Sequence, residues 1–349
     1  MPLLNAPMLP ETMLTLIMSY IHLLSQLKEC RLVCKAWTNP GLINMLGQEI
    51  VLRSDSGTLR LYDILLREPS RAHLIKHLKI EAEISDSFIL KQLLRLALTP
   101  NIETIRGDHI HDEFFIEFNM IVATWPQGFR KLRALPNPNM ITAAYFTAVW
   151  YVRNSLKRLL INIDGSQRDA YFYICIAMFS QFKNLASLSL IMDGMTDLRT
   201  LEMVVLRTCP SIVELTWHFG VIASDVVQPP DIKNWIKLSV EKQEYLEILQ
   251  IQDHCPTHYL QYFLHKYPNT KKINISSTVS CNGQTMTDLK RIIGLIENGP
   301  SKKIVVFVDP RQDFRAIMKC LLLEYSKYKI DPRYNKVHDR MELALYTDE

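Results

Sequence analysis

Residues 185–190 read Leu-Ala-Ser-Leu-Ser-Leu, with apolar residues at the first, fourth and sixth positions. The same pattern, written Φ-x-x-Φ-x-Φ with Φ apolar, begins again at Leu156, Ile212 and Leu246. Alternate residues of a β-strand face opposite sides, so the fourth and sixth positions of each copy would share one face. The pattern therefore predicts one short strand per copy. Further copies begin at Ile75, Ile102, Leu132 and Thr270.

Successive copies start 24 to 34 residues apart, and the stretches between them carry apolar residues at helical spacing. This region resembles leucine-rich repeats, whose period is about 20–29 residues and whose units bury their apolar faces by stacking. We therefore predict an α/β fold, an irregular solenoid with parallel strands on its concave face and helices outside. Two later strands, Ile304–Val308 and Met341–Tyr346, would continue the series. The alternative is an ordinary α/β domain whose periodicity arises by chance.

The same alternation predicts which side chains are available to a partner. If the fourth and sixth positions are buried, the third, fifth and seventh face the concave surface. This surface mixes charges with polar and apolar groups, which suits a protein or peptide better than a nucleic-acid backbone. The alternative is a solvated face with no partner. The candidate substrate-binding residues are Arg106, Asp108, Arg158, Asn162, Ser189, His218, Gln250 and Gln252.

Composition and charge argue against several classes of protein. The 349 residues carry a net charge of only +4, which does not indicate a general nucleic-acid binder. The seven cysteines are scattered and include no C-x-x-C pair, which indicates reduced thiols in an intracellular protein. A helix needs about 20 apolar residues to cross a bilayer, and the apolar runs here are shorter, so we predict no membrane partner. The expected location is the cytoplasm, the nucleus or both.

We find no constellation of residues that predicts catalysis. The chain has no G-x-G-x-x-G, P-loop or G-x-S-x-G motif, so we predict a non-catalytic protein without cofactor. His109 and His111 could contribute to a metal site, but no further ligand pair has a usual spacing, so we predict no metal. Cys30 and Cys34 lie one helical turn apart, and we predict that both are small apolar residues on a buried helix face.

The N-terminal stretch predicts three short helices. Leu14, Ile17, Met18 and Ile21 form one apolar face at helical spacing after Pro10. A second helix is predicted from Ser25 to Asn39, because the residue before a proline is disfavoured in the α region. A third would end near Gly47. Residues 51–74 read as a junction, with a turn at Asp55-Ser56-Gly57. So small a helical unit has little core of its own and should pack against another surface.

Residues 8–50 resemble an F-box, through Leu9-Pro10 at the start of the first helix and Val33-Cys34-Lys35-x-Trp37 at the end of the second. The resemblance implies docking to a Skp-family linker protein and, through it, to a cullin–RING ubiquitin ligase. The repeats would then present a protein substrate. For every docking residue the alternative is packing within the three helices, which we favour for Cys34 and Trp37. The implied docking residues are Leu9, Pro10, Leu14, Ile17, Leu32 and Val33.

Three functions are therefore compared. The first is a substrate adaptor of a Skp–cullin–F-box ubiquitin ligase, with an F-box at 1–50, a junction at 51–74 and a leucine-rich-repeat-like solenoid at 75–349. The second is an F-box scaffold that binds the linker protein outside any ligase. The third, and least favoured, is an enzyme built on an α/β repeat domain.

Overall fold

The chain forms two compact units, Met1–Leu156 and Lys157–Glu349, and each is described by itself. The predicted domain ranges 1–50, 51–74 and 75–349 stay predictions. The computed structural model describes residues 9–81, 87–125, 128–164, 177, 179–193, 198–206, 211–219, 231–252, 257–276, 294, 303–308, 319, 323, 329–335 and 340–346.

The first unit begins with three helices: α1 (Glu11–Ser19), α2 (Leu24–Val33) and α3 (Lys35–Gly47). The predicted end of the second helix at Asn39 is wrong. The helix ends earlier, at Cys34, whose backbone is extended with φ of −162°. Pro40 lies inside α3, where it removes one helical hydrogen bond. Its ring is buried among the three helices, and this burial offsets part of that loss.

A three-stranded parallel sheet follows, in the order β1 (Glu49–Leu52), β2 (His77–Ile80) and β3 (Thr104–Arg106). The predicted turn at 55–57 is wrong, because these residues are the first turn of a helix. Ser54 caps that helix by accepting a hydrogen bond from the Gly57 backbone N–H. The helices around this sheet are α4 (Asp55–Arg67), a 3₁₀ helix (Pro69–Leu74), α5 (Ser87–Ala97), α6 (Asp112–Ala123) and α7 (Ala143–Val152).

The pattern copy that begins at Leu132 makes no continuous strand. Two isolated bridges, Thr104–Ala134 and Ile110–Pro138, are the only strand-like pairs at this copy in the described part of the chain. Leu132 is nevertheless fully buried. The copy therefore supplies core side chains without a regular ladder, as expected where Pro136 and Pro138 offer no backbone N–H.

The described residues of the second unit form an eight-stranded sheet in the order β10-β11-β9-β8-β7-β6-β5-β4. Three helices belong to the described part of this unit: α8 (Leu198–Leu206), α9 (Ile232–Ser239) and α10 (Thr257–Lys266). Apart from the single residues 294, 319 and 323, the predicted helices at 285–297 and 313–327 lie outside the described residues, as does most of the one at 168–182. The strands are β4 (Arg158–Asp164), β5 (Ser187–Asp193), β6 (Glu214–Phe219), β7 (Ile248–Gln252), β8 (Lys272–Ser276), β9 (Lys303–Val308), β10 (Lys329–Asn335) and β11 (Arg340–Tyr346).

The register of β4 to β8 follows the sequence pattern. The fourth positions of the five copies are Cα partners across the parallel ladder, and all five are buried. The sixth positions form a second buried row in the same way. The predicted α/β class with parallel sheets is thus confirmed. The two rows are Leu159, Leu188, Leu215, Leu249 and Ile273, and Ile161, Leu190, Trp217, Ile251 and Ile275.

The parallel series ends at β9. The predicted strand near Met341 is present as β11, but it runs antiparallel to β9, so it does not continue the repeats. β10 was not predicted at all, and it pairs antiparallel with β11 as the outer strand of the sheet. Its sequence, KIDPRYN, lacks the Φ-x-x-Φ-x-Φ pattern and includes Pro332. An outer strand tolerates proline, since one of its edges makes no ladder bonds.

Candidate binding surfaces

The first helix exposes an apolar face. Met13, Leu16, Ile17 and Tyr20 follow the spacing i, i+3, i+4, i+7, and each is about half exposed or more. Leu14 and Met18 face the opposite way and are buried. The apolar face that the sequence predicts for α1 is the inward one, with Ile17 at its border. The outward residues show the same helical spacing in the sequence, but only packing decides which of the two apolar faces is covered.

A second group of exposed apolar residues lies on α2 and on the connection before it. Leu23 and Leu24 stand at the start of α2, and Leu32 and Val33 stand at its end, with Leu32 85% exposed. We call these residues and the outward residues of α1, taken as one set, the N-terminal apolar patch. Its members are Met13, Leu16, Ile17, Tyr20, Leu23, Leu24, Leu32 and Val33.

The six docking residues implied by the resemblance have different surroundings. Leu9, Pro10, Ile17, Leu32 and Val33 are exposed. Leu14 is only 4% exposed and packs within the three helices, which was the alternative for each of the six.

The two residues expected to pack in this core, Cys34 and Trp37, also differ in their exposure. Trp37 is half-buried, whereas the prediction of a buried Cys34 is wrong. Cys34 is exposed because it interrupts the helix and joins α2 to α3 with extended backbone.

Polar side chains fix the three helices to one another. The Asn44 amide donates to the Thr15 carbonyl of α1 over 3.0 Å, and Gln48 donates to the Ile21 carbonyl over 3.0 Å. At the α2–α3 contact a Cβ on Gly41 would overlap Cγ of Arg31. Glycine at this position therefore allows α2 and α3 to approach closely. These contacts hold the patch in place although the segment's core is small.

On the first sheet, the strand face is charged and internally paired. Arg106 lies 3.4 Å from the Glu49 carboxylate, across β2. Lys79 and Arg53 both lie within 3.4 Å of Glu81. Every side chain in these pairs is at least about one-third exposed, so each pair is worth at most about 1 kcal/mol and can exchange for a partner's charges.

Asp108 lies just after β3 and is also exposed. It accepts a hydrogen bond from the Asn137 amide over 2.7 Å. Arg106 and Asp108 are therefore both accessible.

On the second sheet, the predicted residues share one face. Ser189 and Gln250 belong to one row of Cα partners, with Thr216 between them. His218 and Gln252 are Cα partners in the next row. The residues at these positions are half-buried, apart from Thr216, which is buried. The face thus offers amide and hydroxyl groups rather than a dense charge.

The remaining two predicted residues lie on β4. Arg158 is exposed at the start of this strand. Asn162 belongs to the strand by its backbone, and its side chain lies outside the described part.

Gln250 also contacts a neighbouring strand through its side chain. Its amide donates a hydrogen bond to the Glu214 carboxylate over 2.6 Å, so that carboxylate already has one donor.

One group of ionisable residues lies in the core of the second unit. Lys266 donates to Glu202 over 2.8 Å, and the Tyr262 hydroxyl donates to the same carboxylate. Burial and the nearby Glu202 carboxylate raise the pKa of Tyr262 and of Tyr267 far above that of a free phenol. All four side chains are buried, so a substrate has no direct access to them. Their arrangement suits packing of α10 on α8.

No three His, Cys, Asp or Glu side chains in the described part of the chain come together as a metal site, and His109 and His111 gain no third ligand there. No described helix has both the length and the hydropathy to cross a membrane. No family model matches the chain, and no curated protein matches it either.

Proposed function

We propose that this chain is a substrate-recognition adaptor of a Skp–cullin–F-box ubiquitin ligase. Residues 9–47 would act as the F-box and bind the Skp-family linker protein, and the strand faces would bind a protein substrate. The chain would make and break no covalent bond and need no cofactor. Its contribution would be proximity, because it holds the substrate near the ubiquitin-charged enzyme. Such an adaptor would act in the cytoplasm, the nucleus or both.

The observation that carries this proposal is the N-terminal apolar patch. Monomeric proteins rarely expose large contiguous apolar areas, and those that do usually bind a partner there. Here eight apolar side chains are exposed within the residues 13–33 of one small helical segment. Covering a leucine-sized side chain contributes about 1.5–3 kcal/mol, and association itself costs about 4–15 kcal/mol, so a stable complex would have to cover most of the patch. A linker protein with an apolar groove is the partner that an F-box would require.

The strand register supports the second half of the proposal. Five pattern copies keep the same buried rows from β4 to β8, as stacked repeats would. We infer that these strand–helix units form an irregular leucine-rich-repeat-like solenoid. In such a fold the strand face is the extended surface that receives a partner.

Co-purification of a matched pair of variants tests the docking step. Ile17 and Ile116 are both helical isoleucines that are 48% exposed, but only Ile17 belongs to the apolar patch. The Ile17→Asp variant should lose capture of a Skp-family protein and a cullin, because a carboxylate would be buried in an apolar contact. The Ile116→Asp variant should capture both as the unchanged chain does. Equal capture by the two variants contradicts the docking proposal.

The same experiment separates the alternatives. Capture of the linker protein without a cullin would favour a ligase-independent F-box scaffold. If the Ile17→Asp variant still captures both partners, and the chain also turns over a small substrate, the result would favour the enzyme. The buried ionisable group around Glu202 gives no support to the enzyme, since it lacks access to solvent.

A further inference from the structure

One edge of the first unit brings together parts of four successive connections. The backbone N–H of Glu103 donates to the Lys76 carbonyl, and that of Arg133 donates to the Glu103 carbonyl, each over 2.7 Å. After α7, the Ser155 hydroxyl donates to the Phe129 carbonyl over 3.1 Å, so this connection contacts the one after α6. The segments joined in this way are 75–76, 98–103, 128–133 and 153–156.

Among the described residues, two cations of this edge have neutral partners. Lys131 is exposed, and its ammonium group donates to the side-chain oxygen of Asn101 over 2.9 Å. Arg153 donates to the Trp150 carbonyl over 2.8 Å, and its guanidinium lies 4.0 Å from the centre of the Trp150 ring. These contacts hold both cations in place without neutralising their charge.

Acidic residues are scarce along the same edge. Lys76 is exposed and forms no ion pair within the described part of the chain. Glu103 is the acidic residue of the four segments, and Arg133 already contacts it at 3.8 Å. The sequence has no Asp or Glu from 118 to 156. Together with the two cations above, Lys76 therefore leaves a local excess of positive charge, which favours an anionic partner.

Three large aromatic side chains are exposed near these cations. Trp125 follows α6, and Trp150 and Tyr151 lie in the last turn of α7. The two helices run in the same direction, since Asp112 and Thr142 meet at their starts and the connections after their ends are in contact. The rings thus lie toward the end at which the cations lie. The aromatic–basic edge, as we call it, consists of Lys76, Trp125, Lys131, Trp150, Tyr151 and Arg153.

We propose that the aromatic–basic edge binds a segment of a protein partner that combines acidic and apolar side chains. The Asp and Glu side chains of the segment would pair with the three cations, and its apolar side chains would cover the three rings. Tryptophan, tyrosine and arginine are the residues that contribute most at the centres of protein interfaces. This surface shares no residue with the N-terminal apolar patch, so the proposal goes beyond the proposed ligase role and stands independently of it.

The exposure of the rings favours a protein over a membrane. Trp125, Trp150 and Tyr151 are 42%, 39% and 48% exposed, so the chain itself covers more than half of each side chain. Aromatic anchors of a bilayer insert about 5–10 Å into its headgroup boundary and must protrude to do so. Rings that are covered to this extent suit contact with a protein surface.

The arrangement of the charges favours a protein over a nucleic acid. A protein that follows a phosphate backbone carries a longer basic stripe, whereas the net charge of the whole chain is only +4. Glu103 also lies among the cations and would repel a continuous row of phosphates, whereas a peptide can place a neutral residue there. Arg153 is held by its two contacts with Trp150, so little entropy is lost when its remaining N–H groups bind a carboxylate.

Fluorescence anisotropy with defined probes tests this proposal. The probe is a labelled decapeptide in which pairs of Asp alternate with pairs of Leu. One control peptide has Asn in place of every Asp, and the other has Ser in place of every Leu. The purified full-length chain should bind the probe at least about tenfold more tightly than either control, because each control lacks one of the two kinds of contact.

Variants of the edge separate its two components. Lys76→Glu/Lys131→Glu should bind the probe at least about tenfold more weakly, since two attractions become repulsions. Lys76→Gln/Lys131→Gln removes these charges without reversing them and should give a smaller loss, which keeps the test valid if the reversal disturbs folding. Trp125→Ser should weaken binding of the probe but not of the peptide that lacks Leu.

A matched variant controls for net charge. Lys28→Glu/Lys35→Glu changes two exposed lysines of the same unit outside the edge and should leave the affinity within about twofold. The proposal is overturned if this variant loses as much affinity as Lys76→Glu/Lys131→Glu, or if the peptide with Asn binds as tightly as the probe. Tighter binding of a single-stranded oligonucleotide or of phosphatidylserine vesicles would overturn it as well.

Discussion

Lys266 donates a hydrogen bond to Glu202 over 2.8 Å, and both side chains are withdrawn from solvent. The bond joins α10 to α8 through the core of the second unit. Tyr262 donates to the second carboxylate oxygen, so each oxygen of Glu202 has a donor. A buried ion pair satisfied in this way is sensitive to the loss of one member, because the other is left charged and unpaired.

Lys266→Met should therefore lower the free energy of unfolding of the second unit by about 3–5 kcal/mol. The double variant Lys266→Met/Glu202→Leu should recover much of this loss, because no unpaired charge remains. Urea unfolding followed by Trp217 fluorescence in chains that lack other tryptophans measures both. A double variant no more stable than the single one contradicts this account.

Lys271 and Glu247 provide the matched control. They are 2.6 Å apart, closer than the buried pair, but both side chains are largely exposed. Lys271→Met should change the free energy of unfolding by less than about 1 kcal/mol, since solvent screens an exposed pair. Comparable losses for Lys266→Met and Lys271→Met would show that burial is not the cause.

Stability should fall as the solution becomes mildly acidic. Burial lowers the pKa of the His258 imidazole below its ordinary value of 6.5, and its Nε2 has no hydrogen-bond partner among the described residues. Below pH 6.5 the unfolded chain therefore binds a proton that the folded chain resists, so the free energy of unfolding decreases as pH falls from 7.5 towards 5. His258→Phe should flatten this dependence, measured by urea unfolding at each pH. If the free energy of unfolding of the variant depends on pH as steeply as that of the unchanged chain, other titratable groups cause the dependence.

The close approach of α2 and α3 should depend on Gly41. A side chain there meets the Arg31 stem, so Gly41→Val should lower the free energy of unfolding of the first unit by about 1–3 kcal/mol. Gly47, also in α3, has nothing within 4 Å of an added Cβ and serves as control. Gly47→Ala should be neutral or mildly stabilising. Thermal unfolding of both variants, followed by circular dichroism, distinguishes steric overlap from a general effect of replacing glycine.

Leu32 and Leu238 allow a quantitative test of the apolar patch. They are 85% and 86% exposed, so aspartate at either position should barely affect folding. Leu32→Asp should weaken binding to a purified Skp-family linker protein by at least about tenfold, since one covered leucine contributes about 1.5–3 kcal/mol. Leu238→Asp should leave the affinity unchanged. Isothermal titration calorimetry measures both, and equal affinities exclude Leu32 from the interface.

The buried rows of the eight-stranded sheet were predictable because burial itself imposes the pattern. Leu159, Leu188 and Leu215 recur at the fourth position, where a polar residue would face the core. The α/β class follows from this recurrence. By contrast, β10 could not be predicted, because an outer strand has fewer neighbours and its residues need not be apolar.

Helix ends and exposed faces were harder to predict for a related reason. A local rule ends a helix before Pro40, but tertiary packing outweighs it in α3. On α1 two apolar faces compete, and the sequence does not say which one meets the core. Ile17 was chosen with the inward set, whereas Leu16 and Tyr20 beside it on the outward face were not. The exposed apolar residues of α1 are thus the ones for which sequence periodicity gives least guidance.

Pro332 gives the eight-stranded sheet a terminus that resists polymerisation. It lies in β10, the outermost strand, where it presents no backbone N–H for a further strand to engage. The neighbouring Asp331 and Arg333 add charges that a second sheet edge would have to desolvate. A protein built from a long parallel ladder risks joining other copies edge to edge. At this end of the sheet, one imino acid and two charges should disfavour the addition of a strand from another copy.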